Sequence, residues 1–447
     1  MASLPSPAMT LWQFWHMTQA NDPRLQVYRR QLDVAAQARP LALAALLPNI
    51  TAQSGIQWAS NESQELYNSF NIHSPLYRED SNSQDKNWSV QIRQALFNWT
   101  ALQQYQASDE QVAAAAAQYQ QAFQDLEKKA IIAYTNWLLA YANMQTLQSA
   151  EKGFAHQVSN ALARYHAGVS GILGSEEASV ALANVQAQLA EAQARWQSAR
   201  ATIQRFTGEK SPLQPPPLPR NIPLDADNLR HWKVLAMQHN PTLASARDQL
   251  AASRRVTSAA WGGFLPTLTL ILAHQWQSQQ ETLDYHLPGE SAYNVQSPYK
   301  NLGNSIGLQI RWSIFLGGAQ QAALAQAQYQ QEENFSNVLA TQRSIEATLR
   351  QNYAHLRAAL RQTHLYRHAL ALAVKASTAA TDGVPARLVT ENNAIIDRQN
   401  ALNVRNALNS ANASALSSYA RLGATAGILT PTQIKNLSGL LNQSEGS

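Results

Sequence analysis

The feature that most constrains this chain is a helix-and-strand pattern written twice at one spacing. Adding 218 to the residue number turns Pro23 and Trp58 into Pro241 and Trp276, residues of the same types. The triplet Gln-Ile-Arg at 91–93 recurs with the same spacing. A period this long exceeds the unit of a solenoid repeat. The pattern therefore indicates two duplicated halves.

A proline-rich segment separates the two halves. Its proline density forbids a regular helix or a central strand. We predict a first structural repeat over residues 10–207, a stiff linker over 208–224, a second repeat over 225–430 and a C-terminal tail over 431–447.

Each half contains two stretches in which apolar and polar residues alternate, which is typical of a strand with two different faces. We expect strands of roughly ten residues, the length that spans a bilayer at a tilt. Long polar loops over 61–86 and 278–300 would join them. The polar face carries Gln91, Arg93, Gln309 and Arg311.

A very long helix is predicted after each strand pair, over about residues 99–167 and 320–380, because apolar residues recur there at coiled-coil spacing. Each helix stops at a glycine, Gly168 or Gly383, where we expect a left-handed cap. A second helix then returns, which gives two helical hairpins per chain.

Four two-faced strands are too few to close a barrel, since the smallest barrels use about eight. If the apolar face meets lipid, closure is obligatory, because unpaired backbone groups are costly in hydrocarbon. Several chains must then share one barrel, and the four polar-face residues would line its lumen.

Composition and motifs exclude several classes of function. The chain has no cysteine, and its formal net charge is only +5 without a basic run, so neither disulfides nor nucleic-acid binding is expected. No catalytic constellation or phosphate-binding loop is present, so we expect no enzyme activity, cofactor or metal site. His364 and His368 are interpreted as solvated. The start lacks a signal-peptide pattern, so the chain is either not exported or written without its signal.

These residues resemble the TolC-type outer membrane efflux proteins. The resemblance rests on the order of the twice-written Asn-Pro helix, Leu-Pro and strand, then Leu96-Phe97 and Ile314-Phe315, and finally the glycine-valine tips. It implies an α+β membrane protein in the outer membrane of a Gram-negative bacterium. Three chains would build one twelve-stranded β-barrel, and long α-helical coiled-coil hairpins would form a periplasmic tunnel.

The resemblance also implies partners and sites. The homotrimer would contact outer membrane lipid, a periplasmic adaptor protein and an inner membrane pump. Adaptor contacts carry over to Gly168, Val169, Gly383 and Val384. The acidic positions of the family's entrance are occupied here by Gly174, Val389 and Asn392, so we predict a displaced acidic gate of Glu176, Glu177 and Glu391.

The residues leave two alternatives open. A soluble or surface coiled-coil scaffold without channel activity would use the strands as a small cap domain. Within the family, the duct could serve type I protein secretion or small-molecule efflux, and the pump rather than the tunnel would select the cargo.

Overall fold

A computed structural model describes residues 8–66, 76–208, 214–219, 223–224, 226, 228–286 and 291–443. The chain divides into two compact units. The helical unit comprises Met1–Val34, Ala113–Arg247 and Ser336–Ser447. The sheet unit comprises Ala35–Val112 and Asp248–Phe335.

The same order of elements occurs in both halves. The first half contains α1 (Leu11–Asn21), α2 (Pro23–Ala36), α3 (Ala38–Ala44), β1 (Asn49–Leu66), β2 (Leu76–Phe97), α4 (Trp99–His166) and α5 (Ile172–Thr207). The second half contains α6 (Leu229–His239), α7 (Pro241–Trp261), a 3-10 turn (Gly262–Phe264), β3 (Thr267–His286), β4 (Tyr293–Arg311), α8 (Ala319–Gly383), α9 (Glu391–Ala426) and α10 (Pro431–Gln443).

The long helices confirm the coiled-coil prediction. Helix α4 has 68 residues and α8 has 65. Among the helices of the described ranges, none combines the length and hydropathy that a membrane span requires.

The Asp22-Pro23 and Asn240-Pro241 pairs begin helices α2 and α7. Asp22 accepts the backbone N–H of Arg24 at 2.8 Å, and Asn240 accepts that of Leu243 at 3.0 Å. A proline occupies the first position of α2 and of α7, where its missing N–H costs nothing.

The sheet is antiparallel with the order β1-β2-β3-β4. The predicted strand length of roughly ten residues is wrong, because the strands have 18, 22, 20 and 19 residues. Pairing continues well into the stretches expected as loops, for example at Asn61↔Ser81. Ladder hydrogen bonds join backbone groups, so polar side chains do not end them. Residues 67–75 and 287–290 of the expected loops lie outside the described residues.

The register separates the two faces of the sheet. Ile50, Ile92, Leu272 and Ile306 lie opposite one another across the four strands. The adjacent row is Thr51, Gln91, Ala273 and Ser305. Because side chains alternate, even-numbered residues share an apolar face and odd-numbered residues share a polar face. A bulge between Ala95 and Phe97 shifts β2, so Phe97 pairs with Leu268.

The helical unit has a core that the repeat pattern did not predict. Helices α1, α6 and α10 were not expected, and α10 occupies residues 431–443 of the predicted tail. Phe14 and Trp15 of α1 are fully buried with Tyr134 of α4 and Ile434 of α10. The Tyr134 hydroxyl donates to the Met9 carbonyl at 2.8 Å. Aromatic burial of this kind is a major stabilising term.

The described part of the proline-rich segment packs onto this unit without forming a helix or strand. The Met9 N–H donates to the Gln214 carbonyl at 3.1 Å, and the Asn412 amide donates to the Pro219 carbonyl at 3.1 Å. Prolines lack a donor, but their carbonyls still accept.

Candidate functional site: the two-faced sheet and the hairpin tips

The even-numbered face of the sheet is apolar and exposed. Ile306, Leu308 and Ile310 of β4 are 75%, 67% and 72% exposed. From Leu302 to Ile310 the apolar stretch measures about 27 Å at ~3.4 Å per residue, close to the apolar band of a membrane barrel. Trp88 and Trp276 lie in the row of Leu302 at one end of the band, with Trp58 four residues beyond that row, and Trp312 directly follows β4 at the other end. A solvated sheet would not leave such a face uncovered.

A polar pair, His274 and Asn304, lies within the apolar face. The imidazole of His274 contacts the side-chain oxygen of Asn304, and the Trp88 ring lies 5.1 Å from the His274 ring. Because the two side chains satisfy part of each other's hydrogen-bonding capacity, the pair can occupy an apolar band at reduced cost.

The odd-numbered face carries the predicted lumen residues. The register places Gln91, Arg93, Gln309 and Arg311 on this face. Basic and acidic residues occupy different parts of this face. Arg93 and Arg311 lie near the ends of β2 and β4 that lead into helices α4 and α8. From the middle of the strands toward the β1-β2 and β3-β4 connections, the same face carries the carboxylates Asp85, Glu281 and Glu79. Such an arrangement would produce an electrostatic gradient along any lumen that it lined.

The first hairpin tip is a glycine-capped turn, as predicted. Gly168 has φ +70° and its N–H donates to the Tyr165 carbonyl at 2.9 Å, while Val169 donates to Arg164 at 2.9 Å. The Val169 side chain is 52% exposed, and Leu173 beyond it is also exposed. The tip therefore presents apolar side chains.

The second tip differs, and the prediction of a left-handed cap at Gly383 is wrong. Gly383 is the last residue of α8 and is buried, and the residue with positive φ in this turn is Arg387. A Cβ on Gly383 would lie 2.9 Å from a Val389 methyl group. Glycine is thus required for close packing rather than for its backbone angle. Val384 is half-buried, and Leu388 is the exposed residue of the turn.

The three predicted gate acids have different environments. Glu391 begins α9, where it forms an ion pair with Arg164 and accepts from the Gln157 amide at 3.0 Å. Glu176 is exposed and Glu177 half-buried, both within the first two turns of α5. The structure does not bring the three carboxylates into one described cluster.

Sequence reasoning missed a half-buried arginine at the contact between the hairpins. Arg398 of α9 donates to the Gly153 carbonyl at 2.7 Å and to the Gln157 side-chain oxygen at 3.2 Å, above the Phe154 ring. Its burial lowers the guanidinium pKa. Its position could have been recognised from the sequence, because Arg398 lies three residues after Ile395 and four before Leu402, both apolar.

A buried carboxyl in α4 was also missed. Glu127 is fully buried, and neither carboxyl oxygen has a hydrogen-bond partner within the described structure. Desolvation raises its pKa to about 8, so it is largely protonated at neutral pH. Its position next to Leu126, one of the apolar residues at coiled-coil spacing in α4, was the sequence signal that could have indicated burial.

The comparisons with known proteins agree with this architecture. The family model for the outer membrane efflux protein matches residues 15–209 and 232–427, once in each half. Among solved structures, the outer-membrane channel OprN aligns with a TM-score of 0.76 at 17% identity, covering 93% of this chain and 89% of OprN. The CmeC outer membrane channel of Campylobacter jejuni aligns with a TM-score of 0.73 at 17% identity, covering 97% and 90%.

Sequence relatives include secretion proteins as well as TolC. The chain is 24% identical over 358 residues to the proteases secretion protein PrtF of Dickeya chrysanthemi, covering 78% of this chain and 72% of PrtF. It is 24% identical to the alkaline protease secretion protein AprF of Pseudomonas aeruginosa, covering 73% of this chain and 65% of AprF. It is 22% identical to the outer membrane protein TolC of Vibrio cholerae, covering 84% and 80%.

The solved neighbours confirm the predicted α+β channel fold, and the family consists of channel proteins rather than enzymes. The match in both halves spans most of the 447 residues. The chain therefore belongs to the outer membrane efflux protein family.

Proposed function

We propose that three copies of this chain close one twelve-stranded barrel in the outer membrane of a Gram-negative bacterium and form a passive exit duct. The observation that carries this proposal is the described sheet itself. It has one exposed apolar face, one polar face and two free edges, β1 and β4. In lipid such edges must be paired, so closure requires further copies.

Family membership supports the same assembly. Members of this family are trimeric channels that work with adaptor and pump partners. Each of the two repeats, residues 10–207 and 225–430, would contribute two strands and one hairpin. With the apolar face toward lipid, Gln91, Arg93, Gln309 and Arg311 would line the lumen.

The hairpin tips are the proposed contact with a periplasmic adaptor. Gly168 and Val169 form one tip, and Gly383 and Val384 begin the other. The exposed Val169 and Leu388 offer apolar contacts at the two tips. The entrance would draw its acidic character from Glu176 and Glu177, since the Glu391 carboxylate is engaged by Arg164.

A secreted polypeptide is the cargo favoured by the sequence relatives. Both secretion proteins, PrtF and AprF, align with more than two thirds of this chain. Small-molecule efflux is the second candidate, and it is supported by the match to the efflux protein model in both halves.

Reconstitution tests the duct. Purified chain in planar bilayers should open discrete ion-conducting steps and should fractionate with the outer membrane when expressed with an export signal. Recovery as a soluble, non-conducting protein would instead support the coiled-coil scaffold. In a deletion strain, loss of an extracellular protease with unchanged drug susceptibility would support secretion, and the reverse result would support efflux.

A further inference from the structure

Helix α8 has an exposed seam on the side away from its buried one. Leu349, Leu356 and Thr363 form a buried row at seven-residue spacing. A second row, exposed and also at seven-residue spacing, consists of Ala358, Leu365, Leu372 and Ala379. We call these four residues the α8 seam. An apolar row at seven-residue spacing supplies one of the two apolar positions of the heptad through which long helices pair.

The α8 seam has a basic flank. Arg361, His368 and Lys375 follow at the same seven-residue spacing, three residues after successive seam positions, and all are exposed. Between residues 347 and 381 the chain contains five Lys or Arg and no Asp or Glu. Any helix that covers this seam must therefore tolerate or neutralise positive charge.

Helix α5 has a matching exposed seam of opposite charge. Leu173, Val180, Ala187 and Ala194 form an exposed row at seven-residue spacing, which we call the α5 seam. Glu177 lies four residues after Leu173, and Glu191 lies four residues after Ala187. Residues 172–191 contain no Lys or Arg. Glu191 has an exposed ion pair with Arg195 of the same helix, a contact that contributes little.

The two seams also match in position along the hairpins. The tips of the two hairpins lie side by side. A Cβ on Gly174, near the start of α5, would lie 3.5 Å from the side chain of Glu391, the first residue of α9. Lys375 is eight residues from the end of α8 at Gly383, and Glu177 is five residues from the start of α5 at Ile172. Arg361 and Glu191 are 22 and 19 residues from the same ends. At ~1.5 Å per residue the charges coincide within about one helical turn.

We infer that the α8 seam of one copy packs antiparallel against the α5 seam of a second copy, with Lys375 facing Glu177 and with Arg361 facing Glu191. The occupant is a second copy because the same chain supplies the complementary charge and spacing. Such a contact joins two different surfaces, so it is heterologous and can close a ring. The inference rests on the proposed trimer, and it places Glu177 where the contact between copies adjoins the proposed entrance.

Crosslinking between differently tagged copies tests this contact, because the chain has no native cysteine. A full-length Leu372→Cys chain is co-expressed with a Val180→Cys chain, and the purified protein is oxidised. We expect a covalent dimer that carries both tags. In the control, Gln186→Cys replaces Val180→Cys, because Gln186 lies on α5 but reaches toward Glu151 of α4 at 3.2 Å. The control should give at least tenfold less dimer.

A charge swap provides the second arm. Adding Lys375→Glu to the Leu372→Cys chain should lower the dimer yield severalfold, and adding Glu177→Lys to its Val180→Cys partner should restore it. Native mass spectrometry of the unoxidised protein shows whether trimers, three times 49.2 kDa, are present. Trimers without the crosslink, or with equal crosslinking of the control, would overturn the seam contact alone. Absence of trimers would overturn the proposed duct as well.

Discussion

At the scale of single residues, the buried Glu127 should make stability depend on pH. Desolvation in the folded state raises the pKa of its carboxyl from the ordinary value of 4.5 to about 8. Between these values the folded state binds more protons, so stability falls as pH rises through this window and levels off above it. Glu127→Gln removes this dependence. The variant should match the native chain near pH 5 and exceed it at pH 8.5 by on the order of a few kcal/mol.

Thermal unfolding in detergent at the two pH values measures this effect. Asp125→Asn serves as the control, because Asp125 lies on the same helix but is half-exposed and pairs with Lys128. An equal pH dependence in the native chain and in Glu127→Gln would contradict the assignment.

The two tip glycines should respond differently to alanine. In Gly383→Ala the new Cβ meets Val389, so Val389→Ala in the same chain should restore the turn. In Gly168→Ala the cost, about 1 kcal/mol, comes from the left-handed backbone, and no neighbour lies within 4 Å to be trimmed. Hydrogen exchange of the tip amides reports both effects. Failure of the double variant to recover protection would contradict the steric explanation.

At the scale of elements, Arg398 should hold α9 against α4. Arg398→Leu removes the bonds to Gly153 and Gln157 and should cost about 1–3 kcal/mol, because the two partly buried acceptors lose a charged donor. Limited proteolysis should then cleave the first half of α9 faster. Arg405→Leu is the control, since Arg405 lies two turns further along the same helix and is exposed. Equal cleavage rates in the two variants would show that Arg398 has no such role.

Neighbouring positions on β4 should differ in their tolerance of charge. Leu308→Arg places a cation on the apolar face and should cost about 2–4 kcal/mol in a bilayer. Gln309→Arg places it on the polar face and should be tolerated. The folded fraction in liposomes, measured by resistance to heat and detergent on a gel, compares the two. A greater loss of folding in Gln309→Arg would reverse our assignment of the faces.

At the scale of the whole molecule, the lumen charges should set ion selectivity. In a trimer, Arg93→Glu with Arg311→Glu exchanges six cations for six anions near the helical ends of the strands. The reversal potential measured in a salt gradient should shift in the direction of greater cation selectivity. Lys300→Glu, on the other face of β4 by register, should leave it unchanged. A null result for the double variant would exclude these residues from the conducting path.

Local sequence pattern determined much of this protein. The 218-residue spacing, the alternation around Ile92 and Ile310 and the coiled-coil spacing of apolar residues in α4 and α8 predicted the strand pairs, their faces and the long hairpins. These signals are local, because the period of an element and the chemistry of its faces are properties of consecutive residues. The positions of the predicted lumen residues followed from parity alone.

Tertiary structure decided the features that depend on residues distant in sequence. Strands extend past their apolar stretches because the neighbouring backbone continues to pair, and Gly383 is required because Val389 lies against it. Helices α1 and α10 assemble a core around Tyr134 from opposite ends of the chain. Arg398 and Glu127 lie among the apolar residues of their helices, so the local pattern does not single them out. The packing of α9 against α4 provides the acceptors of Arg398, and burial raises the pKa of Glu127. Periodicity specifies elements, whereas burial and partners are set when elements meet.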